Sequence, residues 1–178
     1  MKFIATPLAG VFVVEPEPIV DERGFFARTV CRSEFAERDL LGDFPQSSIS
    51  WNTRKGTLRG MHFQRAPHAE TKLVRCTRGE IFDVAIDLRH DSASYGKWFG
   101  AHLSDANRKQ LYIPAGCAHG FQVLSNGAEV LYMIDTEYAP QAADGVRWDD
   151  PFFKIEWPEP VSVISERDRI YPDWEKRA

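Results

Sequence analysis

Hydrophobic and polar residues alternate with a period of two through much of the chain from about residue 46 onward. In the clearest stretch one face is entirely apolar, and it consists of Phe82, Val84, Ile86 and Leu88. The intervening positions mix apolar residues with Asp83 and Asp87. This alternation predicts a β-strand that is buried more fully on one side than on the other. Arg78 and Gly79 separate it from an apolar run at 72–76, which predicts a hairpin.

Short segments of the same kind recur along the chain, with turn residues between them. Strands are predicted at residues 11–14, 25–29, 57–64, 98–103, 111–113, 120–124 and 130–136. One short helix is predicted over residues 33–41, with Ser33 as its N-cap and Gly42 as its end. So many strands with so little helix indicate an all-β sandwich or barrel. Residues 139–150 and 157–174 are rich in Pro, Asp and aromatic side chains, and we expect extended C-terminal arms there.

Length, charge and cysteine content limit the class of protein. A chain of 178 residues without a linker or repeat predicts a single domain over residues 1–178. The net charge of −4 argues against nucleic acid or an anionic membrane as the main partner. No leader pattern and no apolar run of about 18 residues is present, so we expect a soluble, cytoplasmic protein. The three cysteines lack metal-ligand spacing and favour reduced thiols.

Two of the five histidines lie where chemistry is plausible. If residues 57–64 form a strand, His62 shares a face with Gly60, which would let a ligand approach the histidine closely. His119 follows a turn containing Pro114 and Gly116, which would place it at the start of a strand near a barrel mouth.

A metal site is one interpretation of these histidines. Small metal-binding barrels often combine a His-x-His pair with a Glu and a distant His, but here Gln64 stands in place of the second histidine. Glu70 is nearby, but it is followed closely by Lys72, and a cation beside a divalent metal is unfavourable. We therefore expect no metal.

An acid–base site is the other interpretation. His62 has the chemistry of a base near neutral pH, and Tyr132 can donate a proton while it stays neutral at rest. Tyr132 shares a face with Val130 and Ile134, although the pattern alone leaves a core tyrosine equally open. Cations in or beside the strands suit a phosphorylated ligand, but each of them also fits an ordinary surface position: Arg23, Arg59 and Lys72.

Taken together, the chain resembles the nucleotide-sugar 3,5-epimerase family over nearly its whole length. The segments that carry the resemblance are DERGFF (21–26), GTLRGMHFQ (56–64), KLVR (72–75), GEIFDV (79–84), YGKW (95–98), IPAGCAHGF (113–121), WDDP (148–151) and ISERD (164–168). The resemblance implies a cupin-like jelly-roll β-barrel with a short N-terminal helix and an extended C-terminal arm. It also implies a homodimer that exchanges N-terminal strands, a nucleoside-diphosphate sugar as substrate, and no cofactor.

The resemblance also implies roles for individual residues. His62 matches the family's base, Tyr132 its acid, Asp168 the carboxylate that orients the histidine, and Lys72 the cation near the C4 oxygen of a 4-keto-6-deoxy sugar. The implied substrate-binding residues are Arg23, Arg28, Gln46, Ser48, Arg59, His119, Tyr138 and Arg167. A C4 ketone makes the protons on C3 and C5 acidic, so these residues would invert one or both centres through an enolate.

The chain departs from the family pattern at the positions expected near the nucleotide. Arg28 and Ala143 stand where Glu is common, and Ser47-Ser48 where Asp-Asn is common. One hypothesis is therefore a changed nucleotide, such as CDP or GDP, or a changed sugar. The alternatives that stay open are a 3,4-ketoisomerase, an epimerase for C3 or C5 alone, a silent binding protein and a metal-dependent oxygenase.

Overall fold

Two antiparallel sheets form most of the computed structural model, which describes residues 1–174. Residues 175–178 of the expected single domain lie outside the described residues. The six-stranded sheet contains, in spatial order, β1 (Lys2–Ala5), β2 (Phe12–Glu15), β10 (Gln110–Ile113), β7 (Lys72–Arg78), β12 (Ala128–Ile134) and β5 (Gln46–Asn52). The five-stranded sheet contains β13 (Ala143–Gly145), β6 (Leu58–Gln64), β11 (Cys117–Val123), β8 (Glu80–Asp87) and β9 (Trp98–Ser104). The all-β prediction is confirmed. The predicted hairpin across Arg78 and Gly79 is wrong, because β7 and β8 lie in different sheets and do not pair with each other.

The main hydrophobic core lies between the inner faces of these two sheets. The six-stranded sheet contributes Val74 and Leu111, and the five-stranded sheet contributes Ile81 and Phe121, all of them almost completely buried. Alternation along each strand places these side chains inward, and removing that much apolar surface from water stabilises the packing of one sheet on the other.

Strand β8 is buried on both faces, which differs from the expectation of a strand buried mainly on one side. Ile81 faces the core between the sheets, whereas Val84 and Ile86 pack on the outer side against Phe153 and Trp157. The reason is the C-terminal arm, residues 147–174, which covers the outer face of the five-stranded sheet. The arm predicted over residues 157–174 is thus confirmed, and its helix α2 (Glu166–Arg169) occupies a single turn. The arm predicted over residues 139–150 is wrong in part, because Ala143–Gly145 form strand β13 of the five-stranded sheet.

The N-terminal helix is present but shorter than predicted. Helix α1 spans Arg32–Ala36, and its N-cap is Cys31, which makes no side-chain capping bond. The prediction of Ser33 as N-cap is wrong, because its hydroxyl contacts the Cys31 thiol at 3.1 Å instead. Asp39, with φ of 56°, turns the chain away after one turn that buries Phe35. Within residues 1–174, no helix is long and apolar enough to cross a membrane.

The remaining strands form a small hairpin, β3 (Ile19–Asp21) and β4 (Gly24–Phe26), which is separate from both sheets. Strand β4 is shorter than the predicted segment 25–29, and the short strand β1 was not predicted. The hairpin leaves Ile19, Val20 and Phe26 more than 70% exposed. Such a concentration of exposed apolar side chains is unusual on a surface that faces only water.

Candidate active site

Most of the predicted site residues line two adjoining cavities. The first, of about 300 Å³, lies on the inner side of the sheets, and the predicted residues that line it are Ser48, Arg59, His62, Lys72, His119, Tyr132 and Tyr138. The second, of about 400 Å³, shares Arg59 and His62 with the first and adds Arg167 and Asp168. The two cavities therefore meet at His62.

The two sheets contribute different chemistry to the first cavity. His62 on β6 lies directly opposite His119 on β11, both in the five-stranded sheet. In the six-stranded sheet, Tyr132 on β12 pairs with Ser48, and Ile134 pairs with Lys72. Residues two apart on a strand share a face, so Tyr132 and Lys72 project from the same side of that sheet. The imidazole and the phenol thus reach the cavity from different sheets.

His62 and Asp168 form a hydrogen-bonded pair. The Nε2 atom of His62 is 2.7 Å from Oδ1 of Asp168, and the Gly60 N–H donates to Oδ2 at 3.2 Å. Burial opposes ionisation of Asp168, but the hydrogen bond and charge of His62, with the Gly60 N–H, outweigh it and lower the pKa of this carboxyl. An ionised carboxylate only accepts hydrogen bonds, so it holds the His62 proton on Nε2 and leaves the lone pair on Nδ1.

The C-terminal arm carries Asp168 to the histidine. Val163 forms a bridge with Thr57, and its carbonyl accepts a hydrogen bond from the Leu58 N–H at 2.8 Å. Ser165 then caps helix α2, because its Oγ accepts a hydrogen bond from the Asp168 N–H at 3.1 Å. These contacts join the start of β6 to the end of the chain, so residues more than a hundred positions apart meet.

Gly60 plays a different part from the one expected. It has φ of 125°, and a Cβ on it would lie 2.5 Å from the Gly120 Cα. The glycine therefore makes room for the backbone of β11 rather than for a ligand. The pairing of β6 with β11 is also irregular here, since His119 pairs with His62 but Phe121 pairs with Arg59. This bulge lets both Arg59 and His62 face the cavity, although regular alternation would separate them.

Lys72 is held inside the cavity rather than in solvent. Its Nζ lies 2.8 Å from Oε1 of Glu70 and donates to the His62 carbonyl at 3.4 Å. The interpretation of Lys72 as an exposed strand residue is wrong, because the residue is only 7% exposed.

Tyr132 lies beside a second histidine–carboxylate pair. The Nε2 atom of His119 is 2.7 Å from Oδ1 of the fully buried Asp83, and the His119 ring packs edge-on to Tyr132 with centroids 5.7 Å apart. Burial, and then the negative charge of Asp83, raise the pKa of Tyr132 well above its ordinary value. The phenol therefore keeps its proton at neutral pH. Asp83 was not predicted as a site residue, although a carboxylate inside a strongly apolar strand indicates a buried polar partner.

Comparisons with known proteins agree with this arrangement. The sequence profile of the dTDP-4-dehydrorhamnose 3,5-epimerase family matches residues 5–176. The chain belongs to this family. The dTDP-4-dehydrorhamnose 3,5-epimerase of Methanothermobacter thermautotrophicus is 48% identical over 171 residues, which cover 94% of this chain and 91% of the relative.

Solved structures of dTDP-sugar epimerases share the fold. The dTDP-4-dehydrorhamnose 3,5-epimerase of Elizabethkingia anophelis superposes with a TM-score of 0.96 at 39% identity, over 99% of this chain and 98% of that one. The dTDP-6-deoxy-D-glucose-3,5-epimerase of Legionella pneumophila, in complex with dTDP-4-keto-L-rhamnose, superposes with a TM-score of 0.86 at 37% identity, over 94% and 89%. The expected cupin-like jelly roll is thereby confirmed.

Three residues to which the family resemblance assigns substrate binding line neither of these two cavities. Arg23 pairs with Asp21 on the exposed hairpin, and Arg28 pairs with Glu34 at 2.9 Å. Gln46 donates from its side-chain amide to the Thr136 carbonyl at 2.7 Å. Ser48, by contrast, lines the first cavity, so only part of the departure from the epimerase pattern lies in the pocket itself.

The residues at the candidate metal-ligand positions bind other groups of the protein. Gln64 accepts a hydrogen bond from the Ala139 N–H at 2.6 Å and donates to the His68 carbonyl at 3.0 Å, while Glu70 pairs with Lys72. Within residues 1–174, no three His, Cys, Asp or Glu side chains are grouped closely enough to hold a metal ion.

Proposed function

We propose that the chain converts dTDP-4-dehydro-6-deoxy-D-glucose to dTDP-4-dehydro-L-rhamnose by inverting C3 and C5. One observation carries this proposal: His62, Lys72 and Tyr132 border one cavity, with the histidine and the tyrosine on different sheets and Asp168 hydrogen-bonded to the histidine. Family membership and the dTDP-linked sugar in the Legionella relative support the choice of substrate.

The first step is removal of a proton from the carbon next to the C4 ketone. Nδ1 of His62 would take it, and Asp168 would stabilise the imidazolium that forms and keep the ring in the required tautomer. The negative charge that develops spreads onto the C4 oxygen. The Lys72 ammonium, which lines the same cavity, would stabilise that enolate, and loss of a well-placed donor of this type costs roughly 10²–10³ in rate.

The second step returns a proton to the other side of the same carbon. Tyr132 is suited to this step because its raised pKa keeps the phenol protonated until the enolate is formed. One round leaves His62 protonated and Tyr132 ionised, so both must exchange a proton with solvent before a second round inverts the other centre. The sugar must present each centre in turn to the same imidazole and the same phenol.

The nucleotide would lie toward the exposed mouth of the cavity. Tyr138 is 63% exposed there, and its ring would stack on the base, while Arg59 and Arg167, which line the cavities, would bind the diphosphate. Arg23 is too far out on its hairpin to line the cavity of its own chain. We propose a homodimer in which the β3–β4 hairpin packs on a second copy, which would bring Arg23 to the partner's nucleotide.

The proposal of a CDP- or GDP-linked substrate finds little support. That hypothesis requires Arg28 to contact the base. Arg28 instead forms an ion pair with Glu34, which also binds the N-terminal amine at 2.8 Å. Isothermal titration against dTDP, CDP and GDP tests the point, and we expect dTDP to bind most tightly.

The activity itself is tested by NMR of the nucleotide-linked 4-keto-6-deoxyglucose with the protein in D₂O. We expect deuterium at both C3 and C5 and a product with the L-rhamno configuration. Deuterium at one centre alone would indicate a mono-epimerase, and migration of the carbonyl from C4 to C3 would indicate a ketoisomerase. A His102→Asn variant, altered at a surface histidine that contacts Glu80, serves as the matched control for His62→Asn.

A further inference from the structure

Glu70 and Lys72 form an ion pair inside the cavity that holds His62 and Tyr132. The Nζ and Oε1 atoms are 2.8 Å apart, and the two side chains are 9% and 10% exposed. Taking two charges out of water is costly, so a buried pair of this kind is stable only with good geometry. Its place in the cavity wall makes the pair a candidate for function rather than for stability alone.

The backbone around the pair is fixed to the neighbouring strand. The Thr71 N–H donates to Oδ1 of Asp135 at 2.7 Å, and the Asp135 N–H donates to the Thr71 carbonyl at 3.2 Å. Thr71 is thus anchored at the end of β12. Glu70 and Lys72, one on each side of it, project to the same face.

The Lys72 ammonium has a second partner in His62. An ammonium group carries three N–H donors, and here one contacts Glu70 and one points to the His62 carbonyl at 3.4 Å. One donor remains for a ligand. The Lys72 ammonium is therefore held at a defined position relative to His62, the proposed base.

We propose that Glu70 is a positioning residue that holds the Lys72 ammonium against the C4 oxygen of the sugar. This inference rests on the proposed function, in which Lys72 stabilises the enolate. Lysine has a flexible stem with many rotamers, and without the carboxylate the buried ammonium would lose its counter-charge and move toward water. A small misplacement of a catalytic group reduces the rate strongly. Glu70 would therefore affect the rate only by fixing the position of Lys72.

A double-mutant cycle of Glu70→Gln and Lys72→Met tests this dependence. Gln keeps the shape of Glu and removes the charge. In the wild-type background we expect Glu70→Gln to lower kcat about 10-fold while KM changes less than about 2-fold, because the cation acts on the developing enolate. In the Lys72→Met background the same change should cost nothing further. An equal loss of kcat in both backgrounds would overturn the inference.

Thermal unfolding gives a second test that needs no substrate. Glu70→Gln should lower the Tm of the wild type, because it leaves the buried Lys72 ammonium without a counter-charge. It should raise the Tm of the Lys72→Met variant, where Glu70 is itself the unpaired charge. A shift of the same sign in both backgrounds would contradict the proposed pairing.

The matched control is Glu80→Gln, because the Glu80 carboxylate contacts His102 at the surface. This replacement should change kcat in neither the wild-type nor the Lys72→Met background. If the wild type itself does not exchange protons of the sugar, the proposed function fails. The unfolding measurement then decides alone whether Glu70 holds Lys72.

Discussion

Two side chains of the site have pKa values displaced in opposite directions. The His62 and Gly60 contacts lower the pKa of Asp168, whereas burial raises the pKa of Tyr132. Environments that separate titratable groups in this way are typical of paired acid–base catalysts. At neutral pH the site therefore has an ionised carboxylate behind the histidine and a neutral phenol on the opposite sheet.

The replacement Asp168→Asn should reduce activity and alter the acid stability of the fold. We expect kcat to fall roughly 10²- to 10⁴-fold, because the amide no longer imposes the His62 tautomer or balances the imidazolium. A carboxyl whose pKa is lowered in the folded state contributes stability above its unfolded pKa, and this contribution disappears as the pH falls.

The difference in unfolding free energy between wild type and Asp168→Asn should therefore shrink as the pH falls from about 6 to about 3. Urea titrations at several pH values measure it. A difference that is constant across this range would mean that the contacts of Asp168 do not lower its pKa in the folded state.

The individual site residues were the part of the structure that the sequence predicted best. His62, Tyr132 and Lys72 were proposed from residue type and the family resemblance, and the structure brings them to one cavity. Asp83 and the pairing of Glu70 with Lys72 were missed. Their importance depends on a partner on another strand or on burial, and neither is encoded in local spacing.

At the scale of single elements, the close approach of β6 and β11 determines the site. Gly60 on β6 lies against Gly120 on β11, and its N–H binds Asp168. Alternation of residue types predicted both strands, but it assumed a regular ladder. The bulge that turns Arg59 and His62 to the same cavity arises from pairing between strands, which no single strand's pattern contains.

The replacement Gly60→Ala should destabilise the protein more than its backbone angle explains. Its Cβ would lie 2.5 Å from the Gly120 Cα and 3.0 Å from the His119 carbonyl oxygen. We expect a loss of at least about 3 kcal/mol. Gly10→Ala is the matched control, since Gly10 has φ of 74° and a Cβ there would meet its neighbours only at 3.5 Å or more, and it should lose only about 1 kcal/mol. Equal losses in calorimetry would show that the two strands can separate without cost.

For the whole molecule, the exposed β3–β4 hairpin is the feature that the isolated chain leaves unexplained. The pattern of short strands predicted the sheets, and the aromatic C-terminal segment predicted the arm. Whether an apolar hairpin faces water or a second copy depends on association, which strand periodicity does not encode. In the proposed homodimer, Arg23 on the same hairpin would reach the nucleotide bound by the partner.

The replacement Phe26→Asp should convert the proposed homodimer to a monomer. Phe26 is 75% exposed, and a carboxylate at its position would have to be desolvated in the interface. Light scattering should show the loss of the dimer, and calorimetric titration should show weaker dTDP binding. Leu41→Asp, a change at an exposed apolar residue outside the hairpin, should leave a dimer. A wild-type protein that is monomeric at micromolar concentration would refute the assembly.

The proposed mechanism requires that His62 and Tyr132 act on opposite sides of one carbon, and proton exchange in D₂O measures this most directly. With the dTDP-linked 4-keto-6-deoxyglucose, we expect wild type to invert C3 and C5 with deuterium at both. His62→Asn should neither exchange nor invert, and Tyr132→Phe should exchange deuterium with little inversion. Inversion at the wild-type rate by either variant would contradict the account.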